Sequence, residues 1–157
     1  MKANIRTICS QRALSTIREF LNDFLKDLEV SASEKNQIIL AMDEAVSNAI
    51  IHGNKSDANK DIEIDIHITE RKIKITLSDI GFLDLAKRDE KIDKSMSEII
   101  KDKQKGGLGL KLIHSIMDIV AFYNKNASSY LMMVKFLGLE EIQTQKQKLE
   151  EKEEVKA

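Results

Sequence analysis

The apolar residues of this chain change period several times, and each change marks an element. Between Ala13 and Leu28 they recur at helical spacing, as Leu14, Ile17, Leu21, Phe24, Leu25 and Leu28. That spacing predicts an amphipathic helix with one buried stripe. Ser31 and Ser33 interrupt the stripe, and either can cap a following helix. The second helix is predicted from about Glu34 to about His52, with Ile38, Ile39, Met42, Ala45, Val46 and Ala49 as its core stripe and Gly53-Asn54 as a left-handed stop. Alternation then replaces the helical period. Ile62, Ile64, Ile66 and Ile68 share one face against Glu63, Asp65 and His67, and Ile73, Ile75 and Leu77 interleave with Lys74 and Thr76. With Thr69-Glu70-Arg71 between them, the two runs predict an antiparallel hairpin with one buried face.

Weaker signals complete the order. Ala3 to Ile8 has a faint strand pattern. Residues 86–105 are crowded with charge and keep no period, and a loop that long in a compact domain is usually functional. Gly106-Gly107 ends it, a helix follows through Leu112, Ile113, Ile116, Met117 and Val120, and two strands are expected near Val120–Tyr123 and Ser129–Phe136. From Glu140 the chain is Glu, Lys and Gln with little to bury, which predicts a solvated helix or a disordered tail. Strand, two helices, hairpin, long loop, helix and two strands make an α+β fold. Its expected form is a two-layer sandwich of a mixed, mostly antiparallel sheet with helices on one face. One domain is expected over residues 1–137 and a charged tail over 138–157.

Composition narrows the function classes. A chain of 157 residues can bury one proper core, and with aromatics at 4% that core must be built from Ile, Leu, Val, Met and Ala. The net charge of -1, from 25 basic and 26 acidic residues, gives no electrostatic case for nucleic acid or an anionic membrane as a partner. Cys9 is the sole cysteine, so an intrachain disulfide is ruled out. Met1 to Arg12 lacks the apolar core of an export signal, and no run approaches the roughly 20 apolar residues that cross a bilayer. A reducing, cytoplasmic setting is expected.

Three places could carry chemistry. Glu44, Asn48 and His52 are spaced four apart and share a helix face, flanked by Leu40, Ala41 and Ile51. A carboxylate and an amide among apolar neighbours are costly unless paired, hydrogen-bonded or bound to a metal, although a surface face with local hydrogen bonds accounts for this helix as well. Asp79-Ile80-Gly81 leaves the second hairpin strand, where it could aim a carboxylate into a pocket or form a plain turn. Gly106-Gly107-Leu108-Gly109-Leu110 opens a helix whose free N–H groups suit a phosphate, or serves as a flexible hinge. It matches neither the Walker pattern nor the dinucleotide fingerprint.

The order of the three is more telling than any one. Together they resemble the N box and the first and second glycine boxes of the GHKL ATPase superfamily. Within it, DEAVSNAIIHGN and GGLGLKLIHSIMD look most like the anti-sigma-factor serine/threonine kinases. The resemblance implies a Bergerat-type ATP-binding fold with ATP and Mg²⁺ as cofactors. It implies Asn48 as the Mg²⁺ ligand and Glu44 as the general base or orienting carboxylate for the attacking hydroxyl. Asp79 would accept from the adenine amino group, with Gly81 giving the base room, and Gly107, Leu108 and Gly109 would cradle phosphates. Lys101, Lys103 and Lys105 stand just before the glycines, where solvated loop lysines are the simpler reading, and helix support is the better role for His52. Two departures from the family pattern stand out: Gly81-Phe82-Leu83-Asp84 is out of register by a residue, and Ala127-Ser128-Ser129 replaces the Gly-Thr near the last strand. The implied function is a kinase that phosphorylates a STAS-domain antagonist and sequesters a sigma factor, with a homodimer as the assembly that related kinases form. The alternative is a non-catalytic, nucleotide-controlled or nucleotide-free binding module of the same fold.

Overall fold

Isoleucine at every second position of Asp61–Ile68 forms β2, and Ile73, Ile75 and Leu77 give Lys72–Ser78, β3, the same one-sided face. β-Branched side chains suit this pleated, half-buried surface. The two strands pair antiparallel with Ile64 opposite Leu77 and Ile66 opposite Ile75, so the apolar side chains of both share one face. All are almost fully buried. The computed structural model describes residues 1–54, 57–78, 107–126, 128–138, 147, 148, 150 and 151, without the side chains of 52, 53, 107 and 108. The expected charged loop at 86–105 and most of the tail therefore lie outside the described residues; 147, 148, 150 and 151 are helical.

Three further strands complete the sheet: β1 (Lys2–Ile8), β4 (Ile119–Lys125) and β5 (Ser128–Phe136). The order is β1-β2-β3-β5-β4. Every neighbouring pair is antiparallel, where a mixed, mostly antiparallel sheet was expected. The reason is the position of β5. It folds back from β4 through a tight turn, with Asn126 at φ 49°, and inserts between β4 and β3, which would otherwise lie side by side in parallel. Asn tolerates that left-handed conformation better than most residues.

The helices cover one face of the sheet. Helix α1 (Gln11–Leu25) buries Ala13, Ile17, Leu21 and Leu25. Helix α2 (Ala32–Asn48) buries Ile38, Ala41, Met42, Ala45 and Val46. Ser31 caps it, its hydroxyl accepting the Glu34 N–H at 3.1 Å. The helix does not stop at a left-handed residue. Its last turn widens into a π-helical turn at Ala49–Gly53, closed by Asn54 N–H donating to Ala49 O at 2.9 Å, with Asn54 at φ -101°. Helix α3 (Gly107–Ile116) packs along α2.

Polar side chains lock the layers together. Glu34, 1% exposed, accepts the Gly138 N–H at 3.2 Å, so the chain leaving β5 is tied to the start of α2, where negative charge is favoured. Gly138 sits at φ 75°, a conformation that favours glycine. At the other side, buried Lys135 of β5 donates from Nζ to Ile116 O at 3.2 Å, placing a cation on the carbonyl end of α3. Asp118 adds two bonds to β5, its N–H donating to Val134 O at 2.9 Å and its Oδ2 accepting the Phe136 N–H at 2.6 Å.

The outer face of the sheet is divided. Across β1 and β2 it is polar, with Asn4 Nδ2 donating to Glu63 and Asp65 and Arg6 paired with Asp61 at 2.9 Å. Across β4 and β5 it carries the exposed side chains of Ile119, Tyr123 and Phe136, with Tyr123 stacked on Tyr130 at 5.0 Å. No described helix is long and apolar enough to cross a membrane.

Leu21 of α1 is fully buried in the core. Leu21→Ala is expected to destabilise the fold by about 2–5 kcal/mol, and Ser31→Ala by about 1 kcal/mol through loss of the cap; urea unfolding midpoints at unchanged slope would measure both.

Candidate functional site

A face of α2 that flanks its core stripe carries the candidate site. Glu44 and Asn48, one helical turn apart, are both half-buried, because α3 crosses them. Gly109 of α3 lies directly against them. A Cβ built there would overlap the Glu44 carboxylate, lying 3.3 Å from Glu44 Cδ and 3.5 Å from Asn48 Nδ2. Two polar side chains from one helix thus converge on one glycine of another. Leu40 and Ile51 flank this face, 42% and 48% exposed, while Ala41 is buried in the core.

Gly107, Leu108 and Gly109 are the first three residues of α3. Their backbone N–H groups belong to the set that a helix leaves without an intrahelical partner, which makes this end suited to an anion. Glu44, Asn48, Gly107, Leu108 and Gly109 are therefore brought together. Asp79 and Gly81, expected at the adenine end, lie outside the described residues, as do Lys101, Lys103 and Lys105 and the side chain of His52. β3 is described to Ser78, which pairs with Tyr130, so the Ser128-Ser129 segment lies at this end of the sheet. Ser129 is buried and donates its hydroxyl hydrogen to Asn124 Oδ1 at 2.8 Å; Ser128 is half-buried.

The end of α2 is held by a contact that the sequence pattern did not suggest. Asn54, 1% exposed, donates from Nδ2 to Cys9 Sγ at 3.1 Å, and Cys9 N–H donates to Lys60 O at 2.9 Å. Lys135 is a second such anchor, and its inward position after Leu131 and Met133 in the alternation of β5 is a signal in the sequence. Among the described residues no cluster of three or more His, Cys, Asp or Glu could cage a metal. Asn48 offers one amide oxygen, which fits an ion carried in largely by its nucleotide, since Mg²⁺ commonly keeps waters and phosphate oxygens and takes few protein ligands.

Comparison with known proteins decides the family. The histidine kinase-like ATPase domain family matches residues 9–135. The anti-sigma F factor of Clostridium perfringens is 32% identical over 121 residues, covering 75% of this chain and 84% of that protein. The serine-protein kinase RsbW of Staphylococcus aureus is 32% identical over 149 residues, 93% of each chain. The chain belongs to the anti-sigma-factor serine/threonine kinases.

This family is a branch of the histidine-kinase-like ATPases, so the chain is an ATP-using protein kinase by descent. Solved structures carry the same fold at low identity. The RsbU and RsbW domains of a Mycobacterium tuberculosis protein superpose with a TM-score of 0.61 at 16% identity, over 87% of this chain and 32% of that one. The SiaB–SiaC complex of Pseudomonas aeruginosa gives 0.60 at 12% identity, over 86% and 89%. In this kinase the segment that resembles the N box lies on α2, and the one that resembles the second glycine box opens α3.

Burial raises the Cys9 thiol above its ordinary 9.0, against the Asn54 hydrogen bond, which lowers it. The folded state therefore holds the proton more tightly than the unfolded chain. Stability from this group is fully present below the unfolded value and is lost as pH rises past it. Denaturation curves above about pH 9 should fall more steeply with pH for the wild type than for Cys9→Ala.

Proposed function

We propose that this kinase transfers the γ-phosphoryl group of ATP to a serine or threonine hydroxyl of a STAS-domain antagonist, and sequesters a sigma factor while the antagonist is phosphorylated. The observation that carries the reading is the convergence of Glu44 and Asn48 on the glycine-rich start of α3. A carboxylate, an amide and a row of N–H groups without intrahelical partners then lie together. Phosphoryl transfer asks mainly for positioning and charge neutralisation, so this modest set is sufficient.

The residues would divide the work as follows. The N–H groups of Gly107, Leu108 and Gly109 would hold phosphate oxygens at the helix start. Asn48 Oδ1 would hold Mg²⁺, whose chemistry is to neutralise charge building on the phosphate oxygens. Glu44 would accept the proton of the attacking hydroxyl as its oxygen bonds to the γ-phosphorus and the bond to the ADP oxygen breaks. Asp79 and Gly81 complete the reading at the adenine.

The named partners come from the relatives. The curated ones are an anti-sigma factor and a serine-protein kinase, which supports a sigma factor as the sequestered partner. The homodimer implied by the family belongs to the same proposal, and the exposed Ile119, Tyr123 and Phe136 on the outer sheet face are apolar surface such a pair could bury. A cytoplasmic location fits a kinase that acts on transcription factors.

The test is calorimetric and enzymatic. Asn48→Ala is expected to abolish Mg²⁺-dependent ATP binding. Glu44→Ala should keep ATP binding and lose about 10²–10⁴-fold in transfer of labelled phosphate to the antagonist. Full transfer by Glu44→Ala would remove the carboxylate from the mechanism, and no transfer by the wild type to any STAS-domain protein would leave the binding-module alternative.

A further inference from the structure

Glycine inside a helix is destabilising relative to alanine, so its presence needs a local reason. Gly109 is the third residue of α3, and its φ lies outside the left-handed region that only glycine adopts readily. The backbone would accept any L-residue. Space is the constraint. Among the described residues, what a methyl group here would run into is the Glu44 carboxylate, with Asn48 Nδ2 behind it at 3.5 Å. α3 is also fixed from its far end, where Lys135 holds Ile116 O at 3.2 Å and Asp118 joins β5, so the helix start has little freedom to back away from α2.

We propose that Gly109 is a positioning residue for Glu44: the missing side chain is the seat of the carboxylate, and the docking of α3 on α2 sets where that carboxylate points. This rests on the reading of Glu44 as the base. It assigns Gly109 a role separate from any phosphate contact made by its own N–H. A methyl group at Gly109 leaves the N–H in place and drives the flexible end of Glu44 aside. The effect falls on the transfer step, because a displacement of about 1 Å at a reacting group can cost about 100-fold in rate.

A double-mutant cycle on the full chain separates the two roles. With Glu44 intact, Gly109→Ala should lower labelled phosphate transfer at saturating Mg-ATP by about 10–100-fold, and should change the calorimetric ATP Kd by much less. Glu44→Asp, with its carboxylate drawn back by one methylene, makes room. In that background Gly109→Ala should cost little further rate. Melting temperature supplies a readout independent of activity. With Glu44→Ala, the helix-propensity gain of Gly109→Ala should appear as a rise of about 2–4 °C, whereas with Glu44 present the rise should be absent or reversed. If Gly109→Ala weakened ATP binding equally in all three backgrounds, and shifted the melting temperature equally with and without Glu44, the proposal would be overturned in favour of a phosphate-contact role alone. A wild type without transfer would instead sink the kinase function, and the melting cycle would still decide whether Gly109 seats Glu44.

Discussion

The position of α2 is the constraint on which the rest of this structure depends. It packs in the helical layer on the isoleucine face of the sheet, beside α3, and it serves both neighbours. Ile38, Met42, Ala45 and Val46 bury one stripe, which gives the helix its place but not a fine setting, because apolar burial is non-directional. The setting comes from hydrogen bonds at the ends. Ser31 and Glu34 fix the start, with Glu34 reaching the chain after β5, and Asn54 fixes the finish against Cys9. Each residue of slip would move Glu44 and Asn48 by about 1.5 Å along the axis and about 100° around it, and the site would come apart.

α3 is built the opposite way. Its glycine-rich start is small so that it can approach α2 closely, and its far end is tethered. Lys135 reaches the last carbonyls from an inward-facing strand position, a costly place for an ammonium unless it is hydrogen-bonded, as it is here to Ile116 O. The helix is thereby fastened to the sheet at the end remote from the site. Its N–H groups without intrahelical partners lie at the end where α2 presents a carboxylate and an amide.

Structures at 12% and 16% identity superpose on this chain with TM-scores near 0.6. Binary patterning and approximate volume are sufficient to keep such a sandwich, so the fold survives the loss of most residue identities. Function has to be argued from the site instead. The Ser128-Ser129 pair illustrates the difference. Ser129 spends its hydroxyl hydrogen on Asn124 within the β4–β5 hairpin, while its oxygen keeps acceptor capacity.

The helical stripes of α1 and α2, the alternating isoleucines of the hairpin and the order of elements were all legible in the sequence, because periods of 3.6 and 2 are local properties written residue by residue. So was the grouping of Glu44 and Asn48, since four positions on a helix return to one face. Three things were decided only by the folded chain. The sheet is purely antiparallel because β5 inserts between β3 and β4, and strand order depends on which edges meet in space. α2 ends in a π-helical turn rather than at a left-handed Gly53-Asn54 stop because Asn54 is drawn in to meet Cys9, 45 residues away in sequence. The seating of Glu44 against Gly109 depends on the approach of two helices, a distance no local pattern encodes. Periodicity fixes what each segment is; only the packing of distant segments fixes which side chains share a space.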